Sequence, residues 1–232
     1  MSVHDEGPGG RLAARPLHFI WIADCSGSMD GEKIQSLNYA IRESIKHMRE
    51  VAEKNPHAQV LVRAVRFSTG AFWHVANPTP VDQFEWADLT AGGVTDMGQA
   101  MRLLGEQLRT PPMAERALPP VLVLISDGQP TDDFSAGLKQ LMDEPWGKKA
   151  VRLAISVGHD TDLDTLRAFI GNSEIQPMEA RNPEQLTHYI KWASTVVIES
   201  ASSPPSQTKD QAGVTVPIPP VDPPPQDPGE VW

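Results

Sequence analysis

Residues 17–29, LHFIWIADCSGSM, join a nearly continuous apolar run to a loop rich in acidic and hydroxyl side chains. Three further apolar runs follow, at residues 60–67, 121–125 and 151–157. Runs that are apolar at almost every position are typical of strands buried on both faces, as in a parallel sheet. Residues 71–75 are a further candidate strand, joined to the second run by a hairpin through residues 68–70.

Helical patterns separate these runs. Apolar side chains recur at three- and four-residue steps from Ile34 to Val51, which predicts one apolar stripe on a long helix that ends at Asn55-Pro56. Three later segments are also predicted to be helical, at residues 97–108, 162–170 and 183–198. Strands that alternate with helices predict an α/β fold with a doubly wound, mostly parallel sheet flanked by helices.

The chain of 232 residues is predicted to contain one domain, at residues 16–200, after a flexible leader at residues 1–15. A disordered, proline-rich tail is predicted at residues 201–232, because residues 204–232 hold nine of the 22 prolines and few large apolar groups. Such a segment cannot bury enough apolar surface to offset the entropy lost on ordering.

Charge and composition exclude several classes of protein. A formal net charge of −10 disfavours a general nucleic-acid binder and attachment to an anionic membrane surface. The single cysteine, Cys25, excludes an intrachain disulfide and a cysteine-rich zinc site. Because the N-terminus lacks a signal-peptide pattern and residues 17–23 are too few to span a bilayer, we expect a cytoplasmic protein.

Oxygen-bearing side chains follow the predicted strands. Asp24, Ser26 and Ser28 come directly after the first run, Asp127 follows the third, and Thr95 lies in a glycine-rich loop before a helix. Ligands of open parallel sheets gather at the carboxyl ends of the strands, so two carboxylates and three hydroxyls should meet there. All are oxygen ligands, which suit a hard cation such as Mg²⁺ better than zinc or copper. Few protein anions would leave one coordination position open to water or to an external carboxylate.

These three separated pieces, in this order, resemble the metal-ion-dependent adhesion site of von Willebrand factor A domains, and the resemblance covers residues 17–198. It implies a von Willebrand factor A, Rossmann-like fold and Mg²⁺ or Mn²⁺ as the cofactor. It also implies that a partner protein supplies an Asp or Glu as the last ligand. The implied direct ligands are Ser26, Ser28 and Thr95, with Asp24 and Asp127 holding the metal directly or through water.

Within that superfamily, three stretches are most similar to the bacterial TerY type: LHFIWIADCSGSMDGEKIQSLNYAI, LTAGGVTDMGQAM and VLISDGQPTDDF. This similarity implies a role in tellurite resistance or stress response, beside a Ser/Thr kinase and a PP2C-type phosphatase. The chain departs from many relatives by having Cys25 in place of threonine. We expect Cys25 to be a small buried side chain that points away from the metal.

The sequence thus favours a metal-dependent protein–protein interaction module and no enzymatic activity, and two alternatives stay open. One is a metal-dependent phosphoryl hydrolase with Asp24 as the nucleophile. Such enzymes usually need an acid two residues further on, where this chain has Ser26, and no lysine is obviously placed to neutralise a transferred phosphate. The other is a kinase substrate that acts through its tail, which offers Ser206, Thr208 and Thr215.

Overall fold

The structure is a computed structural model that describes residues 14–159 and 161–202. Its strands, in chain order, are β1 (Arg15–Asp24), β2 (Ala58–Ser68), β3 (Gly70–Pro80), β4 (Val121–Ser126), β5 (Val151–Val157) and β6 (Met178–Ala180). Its α-helices are α1 (Glu32–Glu53), α2 (Met97–Gln107), α3 (Phe134–Asp143), α4 (Pro145–Lys149), α5 (Leu163–Ile170) and α6 (Pro183–Ser202). A short 3₁₀ turn, Gly27–Met29, links β1 to α1.

The six strands form one sheet in the order β3-β2-β1-β4-β5-β6. Every neighbouring pair is parallel except β2 and β3, which form the predicted antiparallel hairpin. The connection after β1 leads to β2 on one side, whereas the connection after β4 leads to β5 on the other. The direction of winding therefore reverses between β1 and β4, and the doubly wound, mostly parallel α/β fold is confirmed.

Two hydrophobic cores cover the two faces of the sheet. Leu17, Phe19 and Trp21 of β1 face the core formed with α1 and α6. Ile20 and Ile22 face the opposite core, which α2, α3, α4 and α5 complete. Successive strand residues point to opposite faces, so a strand covered on both sides must be apolar at nearly every position. This explains the continuous apolar runs.

The four apolar runs and the hairpin strand are confirmed, but three elements were missed. Strand β6 has only three residues, and α4 has five, so neither can carry a recognisable period. Helix α3 has a usable signal: Asp133 caps it by accepting a hydrogen bond from the Ala136 amide at 2.9 Å, and Phe134 and Leu141 are buried two turns apart.

The predicted leader and tail fall mostly outside the described residues. Strand β1 already begins at Arg15, and α6 continues to Ser202. Residues 1–13 and 203–232, which include the tail hydroxyls Ser206, Thr208 and Thr215, lie outside the described residues. Within the described part of the chain, none of the helices combines the length and apolar character needed to cross a membrane.

A buried histidine interrupts the apolar pattern of β1. His18 is 8% exposed, and its Nδ1 atom has no hydrogen-bond partner among the described residues. Burial, assisted by the charge of Arg63, lowers the pKa of His18 to about 4. Arg63 is itself 5% exposed; it donates to the Ala76 carbonyl and stacks on the Trp73 ring 3.8 Å away. The imidazole of His18 is therefore neutral in the folded protein at pH 7.

This histidine should make stability depend on pH. The unfolded chain binds a proton near pH 6.5 and the folded chain only near pH 4, so the free energy of unfolding should fall as pH drops between these values. The shift corresponds to a loss of up to about 3 kcal/mol. Urea denaturation at pH 7 and pH 4.5 should show this loss for the wild type and a smaller one for His18→Leu. The control is His57→Gln, which replaces an exposed histidine, and its free energy of unfolding should fall as much as that of the wild type. Equal losses in the wild type, His18→Leu and His57→Gln would contradict the assignment of this pH dependence to His18.

Candidate functional site

The reversal of winding places two carboxylates side by side. Asp24 is the last residue of β1, and Asp127 directly follows Ser126, the last residue of β4. The two strands are paired in parallel up to Ala23 and Ile125, so their carboxyl ends lie at the same edge of the sheet. Clefts at such switch points are the usual ligand sites of open α/β sheets.

Asp24 is fully buried and held by two donors. Its Oδ1 accepts a hydrogen bond from the Ser26 amide at 2.8 Å, and its Oδ2 accepts one from the Ser126 hydroxyl at 2.5 Å. Burial raises the pKa of the Asp24 carboxyl; the bonds from Ser126 and Ser26 oppose this, and the charge of Asp127 adds to it. A buried carboxylate with a raised pKa is poised to gain from a nearby cation.

Asp127 is also fully engaged. Its Oδ1 accepts a hydrogen bond from the Ser28 hydroxyl at 2.8 Å, and its Oδ2 accepts one from the Lys33 ammonium at 2.5 Å. The Ser28 hydroxyl also lies 3.0 Å from the Ser26 hydroxyl. One chain of contacts therefore joins the hydroxyls of the first loop to the acid of the fourth strand.

Gly128 leaves open a small space that several of these oxygens face. A Cβ atom placed on Gly128 would lie 3.6 Å from Thr95 Oγ1, 3.7 Å from Ser28 Oγ and 3.9 Å from Asp24 Oδ2. Asp24 and Thr95 are buried while Ser28 is exposed, so the space borders solvent. With Ser26 bonded to Ser28, the structure brings all five predicted site residues together.

Backbone hydrogen bonds join the first loop to the loop that presents Thr95. The Gly27 amide donates to the Gly93 carbonyl at 3.0 Å, and the Gly92 amide donates to the Cys25 carbonyl at 2.8 Å. Gly93 has a φ of +85°, and a Cβ there would lie 2.5 Å from Thr69 Oγ1. Only glycine fits this close approach, which fixes the loop beside the serines.

The backbone of Thr95 is held by the loop that follows Asp127. The Thr95 amide donates to the Thr131 hydroxyl at 3.0 Å, and the Thr131 amide donates back to the Thr95 carbonyl at 2.9 Å. The next residue, Asp96, accepts from the Gly70 amide at 2.8 Å. These contacts couple the positions of Thr95 and Asp127, although the two residues lie far apart in sequence.

Asn38 anchors the irregular segment between β3 and Thr95 to helix α1. Its side chain donates to the Leu89 carbonyl and accepts from the Leu89 amide, both at 2.9 Å, and it also accepts from the Trp86 indole at 3.0 Å. Arg49 of the same helix donates to the carbonyls of Val81 and Phe84. The segment is thereby fixed although it has no regular secondary structure.

Cys25 is a buried core residue, as predicted. It is 1% exposed and packs in the core that includes α1. Burial raises the pKa of its thiol to about 12, and the charge of Asp24 contributes to the shift. A thiol that stays protonated at neutral pH is not a nucleophile.

The donor set fits a hard cation. Among the described residues, no three His, Cys, Asp or Glu side chains are grouped as they would be in a nitrogen, sulfur or multi-carboxylate metal centre. The oxygens that converge here belong instead to two carboxylates and three hydroxyls, and oxygen donors are what Mg²⁺ and Mn²⁺ prefer.

Two residues that contact the acids, Ser126 and Lys33, were missed from the sequence. Ser126 ends an apolar strand directly before Asp127, a position that could have signalled it. From the sequence, no lysine is obviously placed to neutralise a transferred phosphate, but in the structure Lys33 reaches Asp127 from the first turn of α1. This weakens one argument against a phosphoryl hydrolase, while the other argument, Ser26 in place of a second acid, is unchanged.

The sequence matches no protein-family profile and no curated protein. Its fold is similar to that of solved structures. The ArnB paralog VWA2 from Sulfolobus acidocaldarius is 18% identical with a TM-score of 0.58, covering 76% of this chain and 44% of its own. A von Willebrand factor type A protein from Catenulispora acidiphila is 16% identical with a TM-score of 0.57, covering 79% and 42%.

A third similar structure is proximal thread matrix protein 1 from the mussel byssus, in which zinc occupies the MIDAS (metal-ion-dependent adhesion site) motif. It is 13% identical with a TM-score of 0.59, covering 78% of this chain and 48% of its own. This chain thus spans less than half the length of each of the three structures. The strand order, the winding and these similarities agree: the chain has the von Willebrand factor A fold.

Proposed function

We propose that this chain is a metal-dependent protein-interaction module that binds a partner through an Asp or Glu side chain. The observation that carries the proposal is the convergence of Thr95, Ser28 and Asp24 on the space beside Gly128, within reach of Asp127. These residues lie far apart in sequence, and a role in capping one helix would not require them to meet.

The proposed metal is Mg²⁺ or Mn²⁺. Ser26, Ser28 and Thr95 would contact it directly, and Asp24 and Asp127 would hold it directly or through water. A bound divalent cation supplies a Lewis acid that accepts a carboxylate from outside. The mussel protein's zinc-occupied motif supports a divalent ion at this kind of site. The absence of nitrogen and sulfur donors from the converging set favours the harder ions here.

The proposed setting is a bacterial tellurite-resistance or stress-response system of the TerY type, in the cytoplasm. A Ser/Thr kinase and a PP2C-type phosphatase are the proposed partners. The support is the similarity of the stretches around Asp24, Thr95 and Asp127 to that type. Nucleic acid and membranes are not proposed partners, because the net charge of −10 opposes attraction to polyanions.

Substitutions at the site should remove or weaken metal binding. Asp24→Ala removes a central carboxylate, so Mn²⁺ binding should be lost, and Thr95→Ala should weaken it by about tenfold or more. Gly128→Ala leaves every charge in place and adds a methyl group at ordinary contact distance from three site oxygens. It should weaken Mn²⁺ binding without lowering the thermal midpoint of the metal-free protein. The measurement is calorimetric titration with Mn²⁺, Mg²⁺ and Zn²⁺, and unchanged Mn²⁺ affinity in all three variants would disprove the site.

Partner capture should require the metal. In a pull-down from cell lysate, the partner should bind the wild type in Mg²⁺ and be lost in EDTA. It should also be lost with Gly128→Ala in Mg²⁺, which separates the effect of the site from that of the chelator. Replacing one Asp or Glu of the captured partner with its amide should abolish binding. Equal capture under all conditions would place recognition elsewhere, such as the tail of the kinase-substrate alternative.

The hydrolase alternative makes a different prediction about Asp24. Lys33 supplies a positively charged side chain, which a hydrolase would need and which the sequence alone did not reveal. However, both oxygens of Asp24 already accept hydrogen bonds, and Ser26 cannot act as a second acid near neutral pH. We therefore expect no covalent adduct when the Mg²⁺-loaded protein is incubated with beryllium fluoride. A stoichiometric adduct at Asp24, detected by ¹⁹F NMR and absent from Asp24→Asn, would favour the hydrolase.

A further inference from the structure

Lys33 brings a positive charge into a site otherwise built for a cation. Its Nζ atom lies 2.5 Å from Asp127 Oδ2, and the side chain of Asp127 is 1% exposed. The side chain of Lys33 is 23% exposed, so the ion pair is partly shielded from water. Such a pair interacts more strongly than one between two exposed side chains.

The surrounding structure gives Lys33 room to reach this position. Lys33 is the second residue of α1, directly after the loop that carries Ser26 and Ser28. A Cβ atom on Gly158 would lie 3.3 Å from the Lys33 Nζ, so a larger residue after β5 would crowd the ammonium. Lys33 thus lies between the loop that follows β1 and the loop that follows β5, and it is paired with the buried Asp127.

Lys33 changes the net charge of the site with and without a bound metal. Asp24 and Asp127 together carry −2, and Lys33 brings the sum to −1. A divalent cation then makes the loaded site +1, whereas without Lys33 the loaded site would be neutral. Like charges repel and opposite charges attract, so Lys33 opposes the metal and favours an anion that arrives afterwards.

We infer that Lys33 is a specificity-determining residue: its ammonium weakens metal binding and strengthens capture of a carboxylate by the metal-loaded site. The inference rests on the proposed function. Other charged groups near the site are the same in the wild type and in a Lys33 variant. The variant therefore isolates the contribution of this one ammonium.

The test compares Lys33→Met with the wild type in two titrations of the full chain. The first measures Mn²⁺ alone, through the electron paramagnetic resonance signal of the free ion. The variant should bind Mn²⁺ about tenfold more tightly, because a repelling charge is gone. The second measures acetate binding to the Mn²⁺-saturated protein, through broadening of the acetate proton resonance. The variant should bind acetate about threefold more weakly, since acetate carries half the charge of the metal.

Two control variants separate charge from structure. Lys33→Arg keeps the positive charge and should leave both affinities within about twofold of the wild type. Lys46→Met removes the same charge from the same helix at an exposed position paired with Glu43, and should change neither affinity. In 1 M KCl the differences for Lys33→Met should shrink, because salt screens charge interactions and has little effect on packing.

The outcomes distinguish the inference from the proposed function. Opposite changes in Mn²⁺ and acetate affinity support the inference. If both affinities fall together, Lys33 only positions Asp127 and the inference is overturned. If neither changes, it is also overturned, while the metal site stands. If the wild type binds no Mn²⁺, the proposed function fails and the inference fails with it.

Discussion

The burial of two carboxylates at the ends of adjacent parallel strands is the constraint on which the rest of the site depends. Asp24 is fully buried, and Asp127 is 5% exposed. A buried carboxylate is costly unless it is hydrogen-bonded or paired with a cation. Here each carboxylate oxygen has a donor: an amide and a hydroxyl for Asp24, and a hydroxyl and an ammonium for Asp127. The surrounding loops are shaped by the need to supply these donors.

The same requirement explains why the site is built from distant pieces of chain. Thr95 lies at the end of a long irregular segment, whose backbone groups must find partners wherever they are buried. Asn38 and Arg49 of α1 provide several of these partners, and Thr131 provides those of Thr95 itself. A site made in this way is held in place without regular secondary structure. Such an arrangement would suit the proposed cation, which needs fixed ligand geometry while one side faces solvent.

The sheet that positions the site is covered by helices on both faces, and this limits which polar side chains its strands can accommodate. Its central strands lie between helices on both sides, so a buried polar side chain within them must find its partners inside the core. His18 illustrates this limit, because it stays neutral in the core and sits close to the guanidinium of Arg63. By contrast, polar residues at the carboxyl ends of the strands find loops that satisfy them. The five predicted site residues lie at this end of the sheet.

The sequence by itself determined the fold class, because strands buried on both faces must be apolar throughout and helices that pack on the sheet must carry an apolar stripe. It also predicted the five oxygen-bearing residues that the structure brings together, since they follow strands or occupy a glycine-rich loop. It could not reveal β6, which has three residues, nor the ion pair of Lys33 with Asp127, whose partners lie 94 residues apart. Only the tertiary structure decided which donors reach each carboxylate and what net charge the site carries. Those properties depend on distances between loops, and no local pattern of residues encodes such distances.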